Sequence, residues 1–350
     1  MRKLLYVAAA IVVLFSVAYL AGPVPDYAPD PDIESWWVPR TGGPTTADFV
    51  GALAAREEQL IEEGLLRPEA KAHVVLADSA QRHATIDASG RTKQVIVYIH
   101  GFSASPPEGS PLIDELAARY GAHVYFMRLS DHGLTTENSF AEANPERWRD
   151  EVAWEVHNAT TALGDRVILV GTSTGATLAL DYAARFPERV TGLVLYSPNI
   201  ALANPAATLL NGPWGLQLAQ KLAGSSYREL ADIPKECDWI WTLRYRVEGI
   251  VALQDLLERT MTKATFERVH APVMAAWYYR DEEHKDDIIS TEAVEEMIAS
   301  LATPPSQKRA HPLAEVSGHV ITTDCRTTGL DRVRSVTHNF LEEVVGLVPN

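Results

Sequence analysis

Short apolar runs alternate with stretches of helical spacing along most of this chain. Residues 94–99 (QVIVYI), 124–127 (VYFM), 167–170 (VILV), 190–196 (VTGLVLY) and 273–278 (VMAAWY) are continuously or nearly continuously apolar. That is the pattern of strands buried on both faces. A further short strand is expected at 74–76 and a last one within 308–316. Helical spacing fills the gaps. Phe49, Leu53, Leu60 and Ile61 share one stripe of a helix from about 46 to 63, with Thr45 or Thr46 as its N-cap. Further helices are expected at about 110–120, 145–163, 174–187, 291–301 and 330–345. Strands alternating with helices predict an α/β fold, a mostly parallel sheet flanked by helices. The alternation breaks between residues 199 and 270, where the pattern is helical and Trp214, Tyr227, Trp239, Trp241 and Tyr245 accumulate. An insertion after the C-terminal end of a strand lies over the site of such a sheet, so about 200–270 reads as a helical cap. The plainer alternative is that its aromatics form a small core of their own.

The N-terminus departs from this pattern. Met1-Arg2-Lys3 precedes LLYVAAAIVVLFSVAYLAG, and no charge follows until Asp26. A run of that length predicts a signal anchor, a transmembrane helix at 1–22, in preference to a cleaved signal. Arg2 and Lys3 would remain cytoplasmic and the rest of the chain would lie on the extracytoplasmic side, periplasmic in a bacterium, or secreted if the segment is cleaved. Pro23, Pro25, Pro29, Pro31, Pro39 and Pro44 make 23–45 an extended linker. Residues 46–350 remain as the folded domain.

Composition narrows the function. The 350 residues carry a net charge of −15 with no basic stripe, which excludes nucleic acid as a partner. Cys237 and Cys325 are too few for a zinc cluster and do not form a C-x-x-C.

The chemistry concentrates in Arg166–Leu180, RVILVGTSTGATLAL. An apolar strand runs into Gly171-Thr172-Ser173-Thr174-Gly175, and a helix follows. Strand, G-x-S-x-G, helix is the layout of a nucleophile elbow. The sharp turn projects the Ser173 hydroxyl clear of the sheet, the glycines leave room for the turn, and the Thr174 N–H at the helix N-terminus faces a developing oxyanion. The bland alternative is a tight turn with a surface serine.

Three further segments join this one in a resemblance to the α/β-hydrolase fold, in its serine-hydrolase branch of carboxylesterases and monoacylglycerol-lipase-like enzymes. They are Tyr98-Ile99-His100-Gly101-Phe102-Ser103, Arg128-Leu129-Ser130-Asp131-His132-Gly133 and Ser317-Gly318-His319-Val320. The resemblance covers about 74–345. It implies a second oxyanion donor at the Phe102 N–H, whose ring is either an acyl-pocket wall or a core aromatic. It also implies His319 as the base that takes the Ser173 proton and returns it to the leaving group. Ser, acid, His is the chain order of the fold. Two counts disagree on the acid. Counting along the strand from Pro272 gives Asp281. Counting back from the next helix, Asp286-Asp287-Ile288-Ile289-Ser290 matches the family's run and gives Asp286, with 281–285 as an insertion. The second count is preferred.

The expected activity is therefore a serine hydrolase cleaving carboxylic esters through an acyl-enzyme, with no cofactor and no metal. Its substrate would be a small-molecule apolar acyl ester such as a monoacylglycerol. The alternatives are an acyltransferase or another α/β-hydrolase reaction at the same triad, and an inactive membrane-tethered binding protein. Cys237 and Cys325 are read as free thiols, in preference to a pair tying the cap to the histidine loop.

Overall fold

The computed structural model describes residues 16–17, 19–28, 44–78, 86–231 and 233–350. In chain order the elements are α1 (Thr46–Glu62), β1 (His73–Val75), β2 (Thr92–Ile99), α2 (Asp114–Tyr120), β3 (His123–Met127), α3 (Pro145–Ala162), β4 (Gly164–Thr172), α4 (Thr174–Arg185) and β5 (Val190–Tyr196). There follow α5 (Gly215–Ala223), β6 (Tyr227–Glu229), β7 (Arg244–Arg246), α6 (Glu248–Thr260), α7 (Lys263–Phe266), β8 (Val273–Asp281), β9 (His284–Lys285), α8 (Thr291–Ser300), β10 (Lys308–Leu313) and α9 (Leu330–Glu343).

The main sheet runs β1-β3-β2-β4-β5-β8-β10, with β9 added to β8. β1 is antiparallel to β3 and β9 to β8, and the remaining pairs are parallel. The apolar runs become strands because both faces are covered. On β4, Val167 and Leu169 join one core with α3, α4 and α8, while Ile168 and Val170 join another with α2 and α9. Adjacent side chains of a strand point to opposite faces, so a continuous apolar run feeds both cores at once. Helix starts follow their caps. Thr45 and Asp48 form a capping box on α1, and the Asn144 carboxamide oxygen accepts from the amides of Glu146 and Arg147 at the head of α3. Each such cap is worth about 1 kcal/mol.

α1 is fastened by a buried ion pair. Arg128, at the end of β3, donates to both oxygens of Glu57 at 2.9 and 3.0 Å, and Glu57 also accepts the Ala72 amide at 2.9 Å. Removing one partner of such a pair costs about 3–5 kcal/mol, because the other charge stays buried.

The interval expected to be a helical cap is mixed. It holds a β6–β7 hairpin as well as helices. α6 belongs partly to the main core, burying Ala252, Leu253, Leu256 and Leu257 with residues of α3 and α4. The reading of Cys237 and Cys325 as free thiols is corrected: the two form a disulfide. Folding sets Cys237 beside the histidine loop, with Cα atoms 6.3 Å apart, inside the range a disulfide spans. Spacing along the chain, 88 residues, gave no sign of this.

Most of the expected anchor and linker lies outside the described residues, and no helix among those described is long and apolar enough to cross a membrane. Residues 23–28, expected as linker, lie on the domain. The Trp214 amide donates to the Pro23 carbonyl at 2.9 Å, the Asn144 side chain donates to the Ala28 carbonyl at 2.9 Å, and Tyr27 packs on the main core.

Candidate active site

β4 ends at Thr172 and α4 begins at Thr174, so Ser173 alone carries the reversal. Its φ of 53° and ψ of −114° lie outside the regions open to most L-residues. A backbone of this kind costs on the order of 1–3 kcal/mol and persists where its surroundings enforce it. They do so here. The Ser173 amide donates to the Tyr196 carbonyl at 2.9 Å, and its own carbonyl accepts from the amides of Ala176 at 3.0 Å and Asn199 at 3.2 Å. The flanking glycines are sterically required. A Cβ on Gly175 would lie 2.0 Å from the Ile99 carbonyl oxygen, and one on Gly171 would lie 2.5 Å from the Ala176 nitrogen.

His319 stands in the loop after β10, and Asp286 in the loop after β9. The structure brings them together, with His319 Nδ1 2.7 Å from Asp286 Oδ2. The other carboxylate oxygen accepts from the amides of Ile288 at 3.0 Å and Ile289 at 3.3 Å. An acceptor on Nδ1 places the proton of the neutral ring there and leaves Nε2 as its basic nitrogen. Burial disfavours the His319 imidazolium, but the Asp286 carboxylate outweighs it and the pKa rises above 6.5. Burial likewise works against the Asp286 carboxylate, yet His319 and the two amides hold it below its usual range. The loops are braced on each other. Ser197 Oγ donates to the His319 carbonyl at 2.6 Å, and Ala201 and Ala203 exchange backbone hydrogen bonds with Ser290 and Ile288.

Asp281 is placed elsewhere. Its side chain is half exposed, accepts the amides of Glu283 and His284, and pairs with His284 Nδ1 at 2.8 Å. It closes the β8–β9 turn, and that hairpin accommodates the five residues in which the two counts differed.

Phe102 and Thr174 follow the C-terminal ends of β2 and β4, which are neighbours in the sheet. The Thr174 amide belongs to the first turn of α4, where backbone donors have no acceptor within the helix. The Phe102 ring packs edge-on against Tyr245 and His132 and tilts against Phe140, so it belongs to an aromatic cluster that α6 approaches through Gly249. Beneath it, the Leu129 amide donates to His100 Nε2 at 3.2 Å, leaving Nδ1 to donate to the Gly101 carbonyl at 2.9 Å. Burial depresses the His100 pKa to about 4, so the ring is a neutral brace for the loop.

Two features near the site were not foreseen. Glu108 is buried with its carboxyl on the Gly101 amide at 2.7 Å. A lone glutamate in a Pro-Pro-Glu-Gly turn carries no signal of this in the sequence. The other is the strap 237–242, which is bonded to the loop that follows β2: Ser105 Oγ donates to the Ile240 carbonyl at 2.6 Å and the Thr242 amide to the Ser103 carbonyl at 2.7 Å.

Known proteins agree with this architecture. Residues 96–342 match the Alpha/beta hydrolase family. The (lyso)-N-acylphosphatidylethanolamine lipase of Mus musculus is 26% identical over 175 residues, 42% of this chain and 50% of that protein. The chain thus spans about half the length of the curated relatives it matches. Among solved structures, one from a study of LipS and LipT, two metagenome-derived lipolytic enzymes, has a TM-score of 0.61 at 20% identity and covers 79% of this chain and 99% of its own. The monoglyceride lipase of Saccharomyces cerevisiae, as a soluble variant with a substrate analog, has a TM-score of 0.56 at 15% identity over 78% of this chain and 91% of that one. At such identities these structures speak for the fold alone. The family match spans well over half of the sequence and takes in both the Ser173 turn and the His319 loop, and on that ground the chain belongs to the alpha/beta hydrolase family.

Proposed function

We propose that the protein is a cofactor-free serine hydrolase of apolar acyl esters, with monoacylglycerol as a representative substrate. Ser173 Oγ attacks the ester carbonyl while His319 Nε2 takes its proton. Asp286 holds the ring in the tautomer that leaves Nε2 basic and stabilises the imidazolium that forms. The amides of Phe102 and Thr174 receive the oxyanion. Collapse of the tetrahedral intermediate breaks the bond to the alcohol, which leaves with the proton from His319, and a serine acyl ester remains. Water, deprotonated by the same nitrogen, then releases the acid.

The observation that supports this reading most is the 2.7 Å contact of His319 with Asp286 in a fold whose elbow carries a strained serine. The apolar acyl preference rests on the aromatic cluster around Phe102 and on the lipases among the relatives. We further propose that residues 1–22 anchor the enzyme with its domain on the extracytoplasmic side, a reading supported by the uncharged run that follows Arg2 and Lys3 and by the Cys237–Cys325 disulfide, which suits an oxidising compartment.

An ester chain-length panel tests the substrate class. On p-nitrophenyl esters from acetyl to dodecanoyl, kcat/KM should rise with acyl length to a medium-chain optimum, and a monoacylglycerol should be turned over. Highest activity on the acetyl ester, with none on the monoacylglycerol, would reject the apolar-acyl reading.

A further inference from the structure

Glu108 is a carboxyl group where a hydrolytic site has no evident need of one. It lies in the short 3-10 turn Pro106–Gly109 and is 2% exposed. Its Oε2 accepts the Gly101 amide at 2.7 Å and the Tyr98 hydroxyl at 3.1 Å. The Tyr98 hydroxyl lies 3.0 Å from Thr172 Oγ1, next to the nucleophile in sequence. The Glu108 carbonyl accepts from Thr322 Oγ1 at 2.8 Å, three residues beyond His319. Gly101 is wedged between this carboxyl and the nucleophile: a Cβ there would lie 3.1 and 3.3 Å from the two carboxyl oxygens and 3.4 Å from Ser173 Cβ.

These contacts join all the parts that must stay in register. The Gly101 amide immediately precedes Phe102 in the oxyanion loop, and a charge-assisted bond to it is among the stronger ways to fix a loop. A negative charge on this carboxyl also acts on the base. It favours the His319 imidazolium over the neutral ring. The charged groups that act on His319 are Asp286 and Asp287 from the acid loop and Glu108 from the oxyanion side. Those facing Glu108 are His319 and the Tyr98 phenol. Burial raises the Glu108 pKa to about 7, so its charge changes where an esterase operates.

We propose that Glu108 is a positioning residue of the reaction: its carboxyl holds the oxyanion loop against Ser173 through the Gly101 amide, and its charge is felt by His319. The inference rests on the Ser173 reading above.

The test compares Glu108→Gln and Glu108→Ala with the parent in the full chain, reading kcat, KM and the pH profile on one p-nitrophenyl ester. The alanine variant loses the acceptor for Gly101, and kcat should fall by about 10–100-fold with KM within about threefold, a loss approaching that of an oxyanion donor. Glutamine keeps an acceptor but no charge. It should regain most of that kcat, and its acid limb of kcat/KM should move to lower pH, because a neutral neighbour no longer favours the imidazolium. An alanine variant with parental kcat, or a glutamine variant whose acid limb coincides with the parent's, overturns the proposal. If the alanine variant does not fold, the glutamine profile decides alone. Fluorophosphonate labelling of the parent separates the two levels: absence of label on Ser173 strikes at the nucleophile, whereas a labelled parent with an unmoved profile strikes at Glu108.

Discussion

Asp286 and His319, 33 residues apart in the chain, meet at 2.7 Å through loops that are each held independently of that contact. The carboxylate is fixed by two amides of its own loop, and the histidine backbone by Ser197 at the end of β5. The orientation of the imidazole is therefore set by folding, before any substrate arrives.

Amidation distinguishes the two acid candidates. Asp286→Asn should lower kcat by about 10³–10⁴-fold, because the carboxamide favours the wrong tautomer of His319. Asp281→Asn, in the exposed hairpin turn, should stay within about twofold of the parent. Steady-state kinetics on a soluble ester checks both, and the reverse ranking would transfer the role to Asp281.

The pH profile has a definite sign. As the proposed base, His319 would act only when neutral, and its pKa is raised above 6.5, chiefly because Asp286 outweighs the effect of burial. Activity should therefore fall as pH drops through a value above 6.5, and the acid limb of kcat/KM should move down in Asp286→Asn. A limb below 6.5 in the parent enzyme would contradict the coupling.

The elbow glycine is a packing requirement. Gly175→Ala would force a methyl group to 2.0 Å from the Ile99 carbonyl oxygen, against backbone that cannot move without disturbing β2. Overpacking of this kind costs about 3 kcal/mol. Urea denaturation should show a loss of that order, and a parental midpoint would mean that the turn is looser than described.

The disulfide should matter both for stability and for the strap. It closes 88 residues between the cap and the histidine loop. Its removal in Cys237→Ser/Cys325→Ser should lower unfolding stability by about 2–4 kcal/mol. Because the strap also bonds Ser103 and Ser105 of the proposed oxyanion loop, kcat should fall with it. Thermal denaturation and kinetics with and without reductant check this, and an unaltered melting point under reductant would refute it.

Much of this was legible in the sequence because burial on two faces writes continuous apolar runs. β5 lies at 190–196 as its pattern indicates, and the other expected strands and helices differ mainly at their ends. Ser173 was legible because a sharp turn between strand and helix demands glycine on both sides. The pairing of Asp286 rather than Asp281 with His319 follows the count through Ile288 and Ile289, whose amides hold the carboxylate. What stayed hidden depends on distance rather than pattern. The Cys237–Cys325 pairing, the clamp of Glu108 on Gly101 and the docking of residues 23–28 each join segments whose separation no periodicity encodes. The β9 hairpin stayed hidden for another reason, since two residues are too few to show a period.

The most direct measurement is covalent labelling. The full chain is treated with a fluorophosphonate probe and the adduct is mapped by peptide mass spectrometry, beside a Ser173→Ala variant assayed for ester hydrolysis. The account predicts one adduct on Ser173, together with loss of both labelling and turnover in a variant that remains folded. Ester turnover that survives in Ser173→Ala, or an adduct on another serine, would contradict it.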